Sequence, residues 1–254
     1  MKRLLIIFLF TVAASAQAKV HDGALTLSPA VITLRGASGQ STTQVVRLTN
    51  GTSQDFAFDV TAEDVIVRDG KRVMSKAGQI AGSIATTAAF SQRSGVVHAG
   101  DTMAMTVTLT LPPSTDCRAV VVLFRGTRKL MNGPLPVLAN IGTLLTFAIS
   151  DDVSLDAGAV AVTPPSSSAN ASISNVCINN GREPVVARGV VAILDSRGTL
   201  VGRAPIEPRR LLPSERAVIR AEYPSDLAPG RYAVLLTLGY EGKTVVQRGD
   251  LVVP

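Results

Sequence analysis

The chain has 254 residues, 46% hydrophobic and only 4% aromatic, with no Trp and a formal net charge of +6 to which Lys2 and Arg3 contribute. The other basic residues are scattered, so the basic stripe with interleaved aromatics that a nucleic-acid surface needs is missing. No segment approaches the ~20 continuous apolar residues of a membrane span, and the length suits two domains.

Met1-Lys2-Arg3, the apolar run Leu4 to Val12 and the small-residue end Ala16-Gln17-Ala18 read as a cleaved signal peptide, 1–18. The mature chain is then expected to start at Lys19 in the periplasm or at the cell surface. Leu25 to Leu34 reads as a first strand broken at Ser28-Pro29. Thr42 to Thr49 follows, ending at the turn signal Asn50-Gly51. Phe56, Phe58 and Val60 alternate, and Val65-Ile66-Val67 leads into a second hairpin signal, Asp69-Gly70. From Lys76 to Ser94 the pattern fades into a loop-rich crossover with one helical turn around Ala85 to Phe90. Thr102 to Leu111 alternates again, and Arg118 to Phe124 is a nearly all-apolar central strand. Lys129 to Gly133 reads as a turn.

Leu135 to Ser150 then reads as one long strand with Leu135, Val137, Ile141, Leu145 and Phe147 on a single face. Pro134 and Pro136 place its start at a sheet edge. Such an edge offers unpaired N–H and C=O groups and alternating side chains to a partner; the same side chains could equally fill their own domain's core.

Beyond a linker and first-strand region, 151–169, the plan repeats over 170–254. Ala171 to Ile178, Val185 to Leu194, a short strand from Leu200, Ala217 to Tyr223, Arg231 to Tyr240 and Thr244 to Val253 read as strands. Thr49-Asn50-Gly51 answers Asn179-Asn180-Gly181, as two copies of one unit would. Tyr232, just after a turn, is placed to hydrogen-bond backbone across a corner. The expected fold is all-β: two immunoglobulin-like β-sandwich domains in tandem, 19–150 and 170–254.

No catalytic constellation is visible, and no cofactor or metal is expected. His21 and His98 stand outside any Cys/His cluster. Asp151, Asp152 and Asp156 read as a soluble linker without a calcium frame. Arg203, Arg209 and Arg210 read as a solvated face, the alternative being an anion patch.

Leu27-Ser28-Pro29-Ala30-Val31-Ile32-Thr33-Leu34 and Val45-Val46-Arg47-Leu48-Thr49-Asn50, within two exported sandwiches, resemble the first strands of the PapD-like periplasmic chaperones of pilus assembly. The resemblance implies a non-catalytic assembly factor that binds fimbrial or other surface subunits by β-strand addition. Members hold a subunit's C-terminal carboxylate with an Arg in the first strand and a Lys in the last; the nearest positions here are Ala30 and Gly142, and both anchors are missing. A structural or adhesive envelope protein built of the same sandwiches is the alternative.

The sequence holds two cysteines, Cys117 and Cys177. Each half carries one, so neither can close an internal bridge. Strand order places both near the domain junction, and in an oxidising compartment this predicts a Cys117–Cys177 disulfide. Two free buried thiols are the other reading.

Overall fold

A computed structural model describes residues 23–113, 116, 118–132, 134–166, 170–223 and 227–253. The expected leader, His21 and Cys117 lie outside the described residues. Nearly all regular structure is strand. In the first half these are β1 (Leu25–Ser28), β2 (Val31–Arg35), β3 (Ser41–Asn50), β4 (Phe56–Arg68), β5 (Lys71–Lys76), β6 (Ala89–Phe90), β7 (Ser94–Val97), β8 (Thr102–Thr110), β9 (Ala119–Gly126), β10 (Leu130–Asn132), β11 (Leu135–Val137) and β12 (Asn140–Ala148). In the second they are β13 (Leu155–Thr163), β14 (Ala171–Asn179), β15 (Val185–Leu194), β16 (Leu200–Leu211), β17 (Arg216–Tyr223), β18 (Gly230–Tyr240) and β19 (Lys243–Val253).

Two sandwiches result, as the alternation predicts. In the first, β1-β3-β8-β6 faces β2-β12-β9-β4-β5, with β7 also on β4. The first predicted strand changes sheets at Ser28-Pro29, whose peptide is cis: β1 pairs antiparallel with β3, and β2 pairs parallel with β12. The core between the sheets holds Val46 and Leu48 of β3, Val107 of β8, Val122 and Phe124 of β9, and Leu145 and Phe147 of β12. Phe58 anchors it, with Phe56 at 5.9 Å and Phe124 at 5.3 Å between ring centroids. In the second sandwich β13-β14-β17 faces β16-β15-β18-β19 over a separate core.

The turns obey their residues. Asp69 and Gly70 both take positive φ, 51° and 74°, which a two-residue hairpin of primed type needs. Three strand readings need correcting. Leu130–Asn132, expected as a turn, is β10. Leu135–Ser150 is not continuous: β11 folds back on β10, and Leu138-Ala139 separates it from β12. β16 runs 12 residues despite Pro205 and Pro208, because it is an edge strand and only one side of its backbone needs to pair.

The repeat is exact in mechanism but one residue out of the expected register. Asn50 matches Asn179. Asn50 Nδ2 donates to the carbonyls of Gln54 and Val97, and Asn179 Nδ2 to those of Glu183 and Leu211. Each Oδ1 accepts an N–H two residues on, from Thr52 or Gly181. A buried amide saturated in this way fixes the turn after the second strand in both sandwiches. The Tyr232 hydroxyl donates to the Ala228 carbonyl at 2.7 Å, so the expected corner is present.

The two sandwiches meet along the outer face of β9, which explains why that strand is apolar on both sides. Ala119, Val121 and Leu123 lie beneath Leu212 of the second sandwich, beside Val65. Around this patch the charges are paired. Glu183, fully buried, accepts from Arg118 Nε at 3.1 Å, from the Ile149 and Ser150 N–H groups, and from the Ser150 hydroxyl. Arg72 Nε donates to Glu215 at 2.9 Å, and Arg210 Nη1 to the Thr146 hydroxyl at 2.9 Å. Burial, then the neighbouring Arg72 charge, lowers the Arg210 pKa.

Cys177 is free and fully buried, and its thiol donates to Asn175 Oδ1 at 3.1 Å. It belongs to the second core, and Cys117, the other half of the bridge expected at the junction, lies outside the described residues. Ile173 and Cys177 are two pleats apart on the inward face of β14, both within that core.

Burial, with a smaller contribution from Asp156, pushes the Cys177 thiol up to about 11, so almost none is thiolate at pH 8. Cys177 should resist iodoacetamide in the native protein and be alkylated once urea unfolds it; rapid alkylation of the native chain would contradict this burial. Removing one partner of a buried, hydrogen-bonded ion pair costs about 3–5 kcal/mol. Glu183→Ala should lower stability by that order in urea unfolding.

Candidate strand-addition site

The residues expected to serve a partner fall into two groups. Leu145 is 0% exposed and Phe147 is equally enclosed in the first core, so neither can contact a partner. Leu135 is 66% exposed and Leu138 55%, with Val137 and Met131 also open to solvent. Ile141 is half-buried, with its inner side against the core. The break at Leu138-Ala139 causes this division. Beyond it the chain enters the sheet between β9 and β2, and its inward residues become core.

The backbone of β12 is committed unevenly. β9 pairs with it from Asn140 to Thr146, but β2 covers the opposite edge only from Leu144 onward. The Leu144 N–H donates to the Ala30 carbonyl, toward β2, whereas the Ala139 carbonyl accepts from Gly126, toward β9. By the two-residue period, Asn140 and Gly142 therefore turn their backbone groups the same way as Leu144, onto an edge that no described strand pairs. The Thr143 hydroxyl closes the inner end of this gap on the Pro29 carbonyl at 2.6 Å.

A groove of about 410 Å³ leads into the edge, walled by Leu25, Gln54, Leu130, Met131, Val137 and Ile141. Gln54 positions its outer wall. Its Nε2 donates to the Met131 carbonyl at 3.0 Å and its Oε1 accepts from the Met131 N–H at 3.1 Å. That amide pairs with the β10–β11 hairpin as a neighbouring strand would. Leu138 and Gln54 were not expected here. Leu138 lies outside the odd-numbered alternation, and the Gln54 contact joins segments far apart in sequence.

The two anchor positions carry no cation. Ala30 is exposed and offers only its carbonyl to Leu144. At Gly142 a Cβ would come within 2.8 Å of Leu123 and 3.0 Å of Val121, so a lysine has no room there. His98, expected to be solvated, donates from Nδ1 to the Asp55 carboxylate at 3.0 Å; that bond and the Ala99 N–H hold the Asp55 carboxyl below its usual range.

No family model and no curated protein matches this sequence. Among solved structures the chain is similar to the class 5 fimbriae chaperone CfaA, at 14% identity over 91% of this chain and 100% of that one, TM-score 0.44. It is also similar to a chain of the CsuC–CsuE chaperone–tip adhesion subunit pre-assembly complex from the archaic chaperone-usher Csu pili of Acinetobacter baumannii, at 8% identity over 91% and 99%, TM-score 0.43. A third is a chain of the Salmonella enterica SafA pilin in complex with the SafB chaperone, at 12% identity over 89% and 95%, TM-score 0.43.

The split of the strand has a direct test in urea unfolding. Leu145→Ala should cost about 2–5 kcal/mol as a core truncation. Leu135→Asp and Leu138→Asp should stay within about 0.5 kcal/mol of the parent as surface changes.

Proposed function

We propose that this protein is an exported, non-catalytic assembly factor that binds surface-structure subunits, such as fimbrial ones, by strand addition in the periplasm. The observation that carries the reading is the unpaired edge of Asn140–Thr143, continuous with the exposed apolar Leu135, Val137 and Leu138. An extended partner segment laid along Asn140 and Gly142 gains main-chain hydrogen bonds and can set a side chain into the groove beside Ile141. The apolar start and small-residue end of 1–18 support export. The missing cations at Ala30 and Gly142 mean that affinity rests on backbone pairing and apolar fit, without a carboxylate clamp.

Asn140→Pro removes one outward N–H and leaves the β9 ladder bonds in place. Periplasmic capture with the tagged full chain should recover a partner that Asn140→Pro and Leu138→Asp each lose, with the unfolding midpoint unchanged. A partner retained by both variants would sink the strand-addition reading, and an exported chain that still begins at Met1 would sink the cleaved leader.

A further inference from the structure

The outer face of β16-β15-β18-β19 carries an apolar strip where a solvated sheet face should be polar. β15 reads Val-Val-Ala-Arg-Gly-Val-Val-Ala-Ile-Leu and β18 reads Arg-Tyr-Ala-Val-Leu-Leu-Thr-Leu from Arg231. Inward positions such as Val191, Ile193, Val234 and Leu236 are buried in the second core. The alternate positions form cross-strand rows on the other side. One row is Pro205, Val190, Thr237 and Val246; the next is Arg203, Ala192, Leu235 and Arg248. Val190, Val246 and Val252 are exposed, Val246 at 55%. Arg203 and Arg248 close the two ends of the second row, three strand spacings or about 14 Å apart. Arg231 lies on the same face, with Asp250 at its margin opposite Ala233. Among the described residues, Arg203, Arg231 and Arg248 enter no salt bridge.

The first sandwich shows what such a face receives. The outer side of β9 is an apolar strip of Ala119, Val121 and Leu123, bordered by Arg118 and Arg72. It is covered by Leu212, with Glu183 and Glu215 meeting the two arginines. The second sandwich repeats an apolar strip edged by arginines, and among the described residues nothing covers it. We infer that the outer face of β16-β15-β18-β19 is a second docking surface, and that its partner is another protein presenting an apolar knob rimmed by carboxylates. A second copy of this chain is a poor match, because two such faces would bring Arg203, Arg231 and Arg248 against their own kind.

The test uses the full chain and a rhodamine-labelled peptide with a Leu-Phe-Leu centre between two pairs of Glu, followed by fluorescence anisotropy. The same centre between pairs of Lys is the control. The acidic peptide should bind, and the lysine peptide should not. Arg203→Gln combined with Arg248→Gln should weaken binding about tenfold or more, and added salt should do the same. Val190→Ser combined with Val246→Ser should weaken it with the charges intact. All four positions are at the surface, so an unchanged thermal midpoint shows that each variant folds. Equal binding of both peptides, binding that survives either double variant, or no binding overturns the inference. Self-association of the parent that the same variants abolish also overturns it, since the occupant would then be a second copy.

Discussion

A carboxylate removed from water must be met by donors, and Glu183 meets four, from Arg118, Ile149 and the two donors of Ser150. All four belong to the end of the first sandwich or the chain leaving it. They hold the exit of the first sandwich against the turn that follows Asn179. Gly181 is required at that turn, because a Cβ there would lie 2.6 Å from the Asp152 carbonyl and the Ser154 N–H. The outer face of β9 and the lower half of β12 are thereby committed to the seam. What remains accessible of the last strand is its beginning.

Two other sheet edges are guarded. β5 carries Lys71, Arg72 and Lys76, and β16 carries Pro205 and Pro208. Charge and proline are the usual means of keeping an edge from recruiting a stray strand. Asn140–Thr143 has neither. Its flank is apolar, and its hairpin wall is set by one glutamine. This edge, unguarded beside a shaped groove, differs from those two in both respects.

Much of this architecture was legible as alternation. Val45 to Leu48, Met103 to Leu109 and Ala171 to Ile178 kept their period because each has one face in a core. The paired asparagines were visible as letters, but their register was not: the matching hydrogen bonds run to Val97 and Leu211, and nothing local aligns those two. The long reading of Leu135–Ser150 failed because period 2 cannot register that a strand stops pairing and starts again. Leu145 and Phe147 were legible as apolar, but whether an apolar face meets a core or a partner depends on how far β2 reaches along its neighbour. Strand ends set Cys177 near the junction, and its pleat turns it into the second core. The seam was least legible, since Arg118, Glu183, Arg72 and Glu215 lie far apart in sequence and read separately as ordinary surface charges.

The cover over β9 also has a time order. Leu212 follows the end of β12 at Ala148 by roughly sixty residues, so a chain emerging N-terminus first completes the strands of the first sandwich before their cover. Until Leu212 arrives, Val121 and Leu123 of the completed sheet face the surroundings. The emerging chain is therefore stickiest between its two halves, and a holding factor would have most to do there.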